Sequence, residues 1–270
     1  MQSIQIGPFS MSLSILLLLA TILVASYVAR WRAQGSDLDV EALFFSRLVL
    51  PSLLFARLAY VLQYHAAYLD DPISIIDIRD GGFNPWAGLA FAWLSALWQA
   101  WRKPPARQPL LAAMSCATVI AAAGLAWLNP ARQSEPLPNL HFSTLSGEPV
   151  ELKQFAGKPL VINLWATWCP HCVREMPVLS AAQRRYPQVT FIFVNQGEDA
   201  TTIERFVGRQ QLQADNLLMD TGSEAARSFA QPAMPTTLFY SKSGQLLDIR
   251  IGALSQATLQ QRINRLLSDT

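Results

Sequence analysis

The chain has 270 residues, of which 51% are hydrophobic and 15% are charged, and its formal net charge is +2. This length leaves room for about two domains. The small net charge, with no basic run interleaved with aromatic residues, argues against a nucleic-acid partner. Composition divides the chain, because residues 1–129 are dominated by long apolar runs, whereas residues 131–270 have the mixed composition of a soluble globular domain.

Apolar stretches in the first half predict a membrane domain of four helices at residues 1–129. The first stretch, residues 9–29, holds about twenty uncharged positions, enough to cross the hydrocarbon core of a bilayer. It fits a signal peptide poorly, because its first basic residues follow the apolar run rather than precede it. Arg47 and Arg57 lie inside the second stretch and are expected to face protein or to reach the membrane surface. The other predicted spans are residues 42–64, 85–101 and 109–128.

The charges between the spans predict the orientation of this domain. Arg30 and Arg32 follow the first span, and a basic cluster at residues 102–107 follows the third, whereas the loop at residues 65–84 is acidic. Because Lys and Arg are enriched in cytoplasmic loops, both termini are expected on the outer side. We therefore predict a multi-pass protein of a bacterial inner membrane, with its amino terminus and its second domain in the disulfide-permissive periplasm.

A proline-rich linker at residues 130–138 is predicted to lead to a second domain at residues 139–270. In that domain, strand patterns alternate with helix patterns, which indicates an α/β fold. The predicted strands are residues 141–142, 150–152, 160–165, 189–195, 217–220, 236–241 and 246–251. The predicted helices are residues 169–186, 201–211, 223–229 and 255–267, the last of them capped by Ser255.

The most informative stretch joins the apolar strand at residues 160–165 to a pair of cysteines that open the next helix. Cys169 and Cys172 are separated by two residues. In the first turn of a helix this spacing lets the two sulfurs close a small disulfide ring, while the unpaired N–H groups of the helix end favour a thiolate at Cys169. A Cys-X-X-Cys pair beside a βαβ pattern indicates redox chemistry.

Two other interpretations of the pair are weaker. A structural zinc needs four ligands, usually from a second pair of Cys or His residues, and Cys116, His65 and His141 do not have that spacing. A ring of this size at the end of a strand is also poorly placed to staple a fold. We therefore expect no metal and no separate cofactor, since the disulfide of Cys169 and Cys172 is itself the redox group.

Longer motifs around the cysteines give the second half a family resemblance. They are Phe155-x-Gly157-Lys158-Pro159, Asn163-Leu164-Trp165-Ala166-Thr167-Trp168-Cys169, Glu175-Met176-Pro177 and Met234-Pro235-Thr236-Thr237. With a βαβ unit, an inserted helix-strand-helix and a closing ββα unit, residues 137–270 resemble the membrane-anchored TlpA/ResA-type thiol-disulfide oxidoreductases. The resemblance implies a thioredoxin fold that exchanges disulfides with protein thiols.

The resemblance also implies roles for single residues. Cys169 would form the mixed disulfide with a substrate protein, and the more buried Cys172 would resolve it. Pro235 would be a cis-proline beside the active site. Glu175 would lie beneath the cysteines and carry a proton to or from the buried thiol, although its place on the helix is equally compatible with a solvated side chain. The residues expected to tune the site are Trp168, Pro170, His171, Met234 and Thr236.

The sequence leaves the direction of exchange open. Pro170-His171 is also the dipeptide of DsbA-type oxidants, and an imidazole at this place would stabilise the Cys169 thiolate and make the disulfide more oxidising. TlpA/ResA relatives are mostly reductants, which favours a reductase, with cytochrome c maturation among the tasks that use such a site. Cys116 alone cannot relay electrons across a membrane, so a separate membrane or soluble electron partner is expected.

A second resemblance covers residues 43–95 of the membrane half. Its motifs are Ala56-Arg57-Leu58-Ala59-Tyr60-Val61-Leu62-Gln63-Tyr64, Asp71-Pro72, Gly81-Gly82-Phe83 and Gly88-Leu89. They look like a fragment of prolipoprotein diacylglyceryl transferase. The His-Gly-Gly position of that family reads Trp86-Ala87-Gly88 here, so we expect a repurposed anchor in the lipid bilayer. A lipid-binding or transferase-like protein with a docking module, and a non-catalytic binding module or chaperone, are the alternatives.

Overall fold

The structure is a computed structural model that describes residues 3–6, 9–34, 44–69, 72–128, 136–231 and 233–268. The chain separates into two compact units, one formed by most of the amino-terminal half and the other mainly by residues 130–270. Most of the predicted linker lies outside the described residues. The limits assigned to the two domains remain predictions.

Helices make up most of the described part of the amino-terminal unit. They are α1 (Leu13–Arg32), α2 (Leu50–Gln63), α3 (His65–Leu69), α4 (Pro85–Arg102) and α5 (Arg107–Leu128), with a π-helical turn at Phe45–Val49 and 3-10 turns at Pro72–Ile75 and Pro104–Ala106. A further 3-10 turn, Ile78–Asp80, is grouped with the other unit. An antiparallel hairpin of β1 (Ser3–Ile6) and β2 (Phe9–Ser12) precedes α1. The span predicted from residue 9 therefore becomes helical only at Leu13, because residues 9–12 alternate apolar with polar, as strands do.

Three helical segments among the described residues are long and apolar enough to cross a membrane. They are Ile15–Arg32, Phe45–Gln63 and Pro104–Gly124. The third predicted span coincides with α4, a helix of 18 residues whose four tryptophans, Gln99 and Arg102 lower its mean hydropathy. A total of four spans therefore remains a prediction.

Small side chains lie where the helices of this unit pack together. The alanines that are at most 1% exposed are Ala25, Ala29, Ala96, Ala106 and Ala113. They form one apolar cluster with Phe44, Leu48 and Leu110. Small residues let helix backbones approach closely, which is how helices associate in lipid.

Arg57 is enclosed by polypeptide, as predicted for a charge inside an apolar stretch. Its guanidinium donates hydrogen bonds to the carbonyl oxygens of Ser74 at 2.9 Å, Ile75 at 3.1 Å and Gly82 at 2.7 Å. It also lies over two aromatic rings. Arg47, by contrast, is exposed. The cost of burying the Arg57 charge is thus offset by backbone acceptors.

The second unit is a seven-stranded sheet with helices on both faces. Its strands are β3 (His141–Thr144), β4 (Pro149–Glu151), β5 (Leu160–Trp165), β6 (Thr190–Gln196), β7 (Leu217–Asp220), β8 (Thr236–Tyr240) and β9 (Leu246–Ile251). Its helices are α6 (Pro170–Arg185), α7 (Ala200–Gln210), α8 (Glu224–Ser228) and α9 (Gln256–Ser268). The spatial order is β4-β3-β7-β6-β5-β8-β9, with β5, β6 and β7 parallel and the other pairs antiparallel.

This order confirms the predicted thioredoxin-like α/β fold, with α7, β7 and α8 as the inserted helix-strand-helix. The predicted elements of this unit are all present, and their ends are shifted by no more than two residues. Thr258 donates its N–H to Ser255 Oγ at 3.2 Å, which confirms the predicted cap of α9. Long elements with strong hydrophobic patterns are the ones that a single sequence predicts best.

The central strand β5 is buried along its whole length. Val161 and Trp165 belong to the apolar cluster that includes α6 and α9, and Leu160, Ile162 and Leu164 belong to the cluster on the opposite face. Side chains alternate between the faces of a strand, so Asn163 points to the same face as Val161 and Trp165. A polar side chain thus lies within the apolar layer between β5 and α6.

Candidate active site

The two cysteines lie where β5 leads into α6, and they form a disulfide with a Cα–Cα distance of 5.3 Å. Cys169 is the N-cap of α6, and its Sγ accepts the N–H of Cys172 at 3.2 Å. Pro170 takes the first helical position, where a missing N–H costs no hydrogen bond. Cys169 is 5% exposed and Cys172 is 0% exposed. Cys169 is therefore the more accessible of the two, as predicted.

Two exposed side chains lie next to the disulfide. Trp168 is 65% exposed, which makes it a large apolar surface directly before Cys169. His171 is also exposed, and its Nδ1 accepts a hydrogen bond of 2.7 Å from the guanidinium of Arg174. The described hydrogen bond of His171 is therefore with Arg174 and not with Cys169. A direct effect of His171 on the Cys169 thiolate remains a prediction.

The Met234–Pro235 peptide bond is cis, which confirms what the family resemblance implies. The carbonyl oxygen of Pro235 accepts the N–H of Gly252 at 2.8 Å. Thr236 begins β8 and is paired with Leu164 in the antiparallel β5–β8 ladder. The cis bond thus lies at the end of the sheet from which β5 runs towards the cysteines.

Glu175 is buried, with 1% of its surface exposed, so the solvated alternative is wrong. Asn163 Nδ2 donates to its Oε1 at 2.7 Å, and the N–H of Leu254 donates to its Oε2 at 3.0 Å. Burial raises the pKa of Glu175 to about 7, against the opposing effects of these two hydrogen bonds and of the Arg250 charge. Because residues three apart share a helix face, a carboxyl that titrates near neutral pH lies one turn from Cys172.

A polar row crosses the sheet beneath Glu175. Asn163 of β5 is paired with Thr237 of β8, and Thr237 is paired with Arg250 of β9. Asn163 Nδ2 also donates to Thr237 Oγ1 at 3.0 Å. Asn163 and Thr237 enter the family motifs but are not among the predicted site residues. Asn163 could have been identified, because it is a single asparagine inside a strand that is otherwise apolar.

A second carboxylate holds the segment before the cysteines in place through hydrogen bonds. Glu198, which follows β6, accepts hydrogen bonds from the N–H of Thr167 at 2.7 Å and from its hydroxyl at 2.5 Å. Asn195 Nδ2 donates to the same carboxylate at 2.7 Å. Glu198 is not among the residues predicted from the sequence, although the carboxyl ends of neighbouring parallel strands regularly meet at one edge of a sheet. It fixes the backbone two residues before Cys169.

Within the described part of the chain, no group of three or more His, Cys, Asp or Glu residues could hold a metal ion. Cys116 is a free, partly buried cysteine in α5. The predictions that the site needs neither metal nor cofactor stay predictions. What the assembled residues can do chemically is thiol-disulfide exchange with a carboxyl as proton carrier.

Two family models match the chain, one in each half. Residues 132–262 match the model for redoxin, and residues 2–128 match the model for prolipoprotein diacylglyceryl transferase. The second match extends well beyond residues 43–95, where the motifs of that family were recognised. Together the two matches support a fusion of two domains.

Individual relatives match the second half. The thiol-disulfide oxidoreductase ResA of Halalkalibacterium halodurans is 30% identical over 133 residues, which are 48% of this chain and 75% of the relative. The thioredoxin-like protein YneN of Bacillus subtilis is 26% identical over 137 residues, or 49% of this chain and 79% of that protein. A solved structure of a secreted Mycobacterium tuberculosis disulfide oxidoreductase homologous to E. coli DsbE is 30% identical, with a TM-score of 0.44, over 47% of this chain and 96% of that one.

The identity to ResA and the share of ResA that is covered show the family of the second half. Its redox site is carried by the residues that the family motifs single out, and the matching enzymes are named for the exchange of thiols and disulfides. The chain therefore belongs to the ResA-type thiol-disulfide oxidoreductases, with a second half that matches the redoxin model and an amino-terminal half that matches the model for prolipoprotein diacylglyceryl transferase.

Proposed function

We propose that the protein is a membrane-anchored reductase of disulfides in envelope or secreted proteins, and that it acts through Cys169 and Cys172 on the periplasmic side of a bacterial inner membrane. One observation carries this proposal. A disulfide at the start of α6 lies one helical turn from Glu175, a buried carboxyl with a pKa of about 7. Once the disulfide is reduced, the cysteines supply the nucleophile and Glu175 supplies the proton acceptor that the exchange needs.

In the reductase direction, the Cys169 thiolate attacks one sulfur of a client disulfide, and the other client sulfur leaves as a thiolate that takes up a proton. Cys172 then loses its proton to the Glu175 carboxylate and attacks the Cys169 sulfur of the mixed disulfide. The Cys169–Cys172 disulfide re-forms, and the second client sulfur leaves as a thiolate that is protonated in turn. Two electrons have passed to the client, and a separate membrane or soluble electron partner must reduce the pair again.

The surroundings of His171 are compatible with the reductase direction, because its described hydrogen bond joins Nδ1 to the guanidinium of Arg174 and not to the disulfide. The resemblance to TlpA/ResA reductants supports the reductase direction, and cytochromes c under maturation are one class of client that it suggests.

A fourth membrane span at α4 belongs to this proposal. Its 18 residues extend over about 27 Å, close to the thickness of the hydrocarbon core of a bilayer. Trp86 and Trp101, near its two ends, are 77% and 78% exposed, as expected of tryptophans at the two membrane surfaces. With four spans and the basic residues 102–107 in the cytoplasm, both termini are periplasmic.

The membrane unit offers a second candidate function, the binding of a phospholipid. An apolar cavity of about 450 Å³ lies within this unit. Residues of α1, α2 and α4 that line it include Leu18, Ile22, Leu53, Ala56, Leu89 and Ala92. Its volume and apolar lining suit an acyl chain. Trp86-Ala87-Gly88 stands where the transferases have His-Gly-Gly, so we propose binding of the lipid without its transfer.

Replacing Cys169 with Ser should abolish exchange, because the attacking thiolate is lost. Replacing Cys172 with Ser should leave Cys169 able to attack but unable to release its client, so mixed disulfides accumulate. The measurement is reduction of a model protein disulfide by the full chain in detergent, with non-reducing electrophoresis for the trapped client. Cys116→Ser is the matched control and should behave as wild type. Exchange by Cys169→Ser at the wild-type rate would exclude this function.

Replacing Glu175 with Gln should remove a pH-dependent loss of stability. The pKa of this carboxyl is raised from 4.5 to about 7 in the fold, so between these values the folded state holds a proton that the unfolded chain has released. The free energy of unfolding of the wild type therefore falls as pH rises through this range and levels off above it. The loss amounts to about 3 kcal/mol.

The pH dependence of the unfolding free energy can be measured by pulse proteolysis in urea. The second unit is followed in the full chain, for Glu175→Gln and for wild type. The variant should gain stability relative to wild type as pH rises from 4.5 to about 7. If the free energies of unfolding of the variant and the wild type change in parallel with pH over this range, the carboxyl of Glu175 does not titrate as stated.

Alkaline phosphatase fusions test the four-span topology. The reporter needs its disulfides and is active only outside the cytoplasm. Fusions after residue 268 and in the loop at residue 75 should be active, and a fusion after residue 103 should be inactive. An active fusion after residue 103 would show that α4 does not cross the membrane.

Filling the cavity of the membrane unit should abolish lipid binding. Ala92→Trp places a large ring in the cavity lining, whereas Leu94→Trp changes a side chain that is 67% exposed and serves as the matched control. Binding of labelled phosphatidylglycerol to the full chain in detergent should fall with the first variant only. Incubation with a lipoprotein precursor peptide should give no lipid transfer. Equal binding by both variants would dismiss the cavity as the lipid site.

A further inference from the structure

Asn163 makes two hydrogen bonds and leaves one polar atom without a partner. It is 1% exposed, and its Nδ2 donates to Glu175 Oε1 and to Thr237 Oγ1. Its Oδ1 is buried and accepts no hydrogen bond from any described residue. Buried polar atoms are nearly always paired, so this oxygen calls for an explanation.

An amide whose second polar group is not held by a partner can turn, and the two protonation states of Glu175 make different demands on it. A carboxylate can only accept hydrogen bonds, whereas the acid also has one O–H to donate. A half-turn of the Asn163 amide would exchange its NH2 group for its oxygen at the same place. Oδ1 would then face Glu175 and Thr237, and it could accept the O–H of the acid and the hydroxyl of Thr237.

The other partners of Glu175 lack this freedom. The N–H of Leu254 and the guanidinium of Arg250 only donate, and both favour the carboxylate. The cysteine pair lies on the same helix, one turn before Glu175. Among the described groups around the carboxyl, Asn163 is thus the direct partner that can serve both its charged and its neutral form.

We propose that Asn163 is a positioning residue that sets the pH at which Glu175 takes the proton of the Cys172 thiol. The step moves a proton and no electron, from the Cys172 S–H to the Glu175 carboxylate, and leaves the thiolate that attacks the mixed disulfide. Asn163 donates to the carboxylate before the step and, after a half-turn, accepts from the acid that the step creates. This proposal rests on the proposed exchange function, because it assigns the proton to the resolving cysteine.

The variant Asn163→Leu removes the amide from the network, and leucine suits a strand that is buried on both faces. Both forms of Glu175 lose a partner, but the carboxylate loses the stronger, charge-assisted hydrogen bond. The pKa of Glu175 should therefore rise by about one unit or more. Thr237→Val, which removes only the hydroxyl that holds the amide, should raise this pKa by less.

The pKa can be read from the carboxyl ¹³C signals of the oxidised full chain, labelled at glutamate and kept in detergent micelles. Asn195→Leu is the matched control, because Asn195 is a buried asparagine of the neighbouring strand whose Nδ2 bonds to Glu198 instead. It should leave the pKa of Glu175 at the wild-type value. If Asn163→Leu does not fold, Thr237→Val still tests the network, since the two side chains have nearly the same shape.

The functional consequence is a shift in the pH profile of the resolving step. Release of a peptide thiol from its mixed disulfide with Cys169 should accelerate with pH, with a midpoint near the Glu175 pKa of about 7. The midpoint should move upwards in Asn163→Leu. In a Glu175→Gln background this midpoint should be absent, and adding Asn163→Leu should shift nothing further.

Two outcomes would overturn the proposal. One is a Glu175 pKa that is the same in wild type, Asn163→Leu and Thr237→Val. The other is a pH shift caused by Asn163→Leu that persists when Glu175 is glutamine. The pKa is read in the resting protein without a client, so failure of the exchange function would leave that measurement intact and would show only as absent thiol release.

Discussion

The redox site depends on the burial of one carboxyl group. Glu175 lies in the apolar layer between α6 and the sheet, where desolvation disfavours its charged form and raises its pKa to about 7. A solvated glutamate one turn after Cys172 would be ionised at neutral pH and would hold a proton only rarely. Burial makes the same residue able to give and take protons in the range where thiols exchange. The cost to stability is reduced by Asn163 and Leu254, which donate to its two oxygens.

The sheet brings the parts of this site together from distant positions in the sequence. Asn163 and Thr237 are 74 residues apart and meet because β5 and β8 pair in the register that sets them opposite each other. Glu198 meets Thr167 because β5 and β6 are parallel neighbours whose carboxyl ends lie side by side. Slippage of either pairing by one residue would turn these side chains to the other face. The register of the strands is therefore as much a part of the site as the cysteines.

These long-range contacts mark the limit of what the sequence could predict. The strand and helix ends, the disulfide of Cys169 with Cys172 and the cis bond at Pro235 follow from local patterns and from family motifs, and the structure agrees with them. The burial of Glu175 does not follow, because it depends on the backbone of Leu254, which is 79 residues away. Glu198 also has no local signal. The hairpin before α1 was not predicted for a different reason. Apolar composition alone does not distinguish a strand from the first residues of a membrane span.

In the membrane unit, the glycines of the transferase-like motifs lie where the chain packs closely. The histidine of the transferases is not found at the matching position. A Cβ atom at Gly82 would lie 2.5 Å from Arg57 Nη1, and one at Gly88 would lie 2.9 Å from Ala56 Cβ, so neither position has room for a side chain. Next to Gly88, the histidine of the family motif is replaced by Trp86, whose indole can donate a hydrogen bond but cannot accept a proton as a base. The two glycines of the motifs thus serve close packing around Arg57 and between α2 and α4, whereas the histidine of the transferases has no counterpart at Trp86.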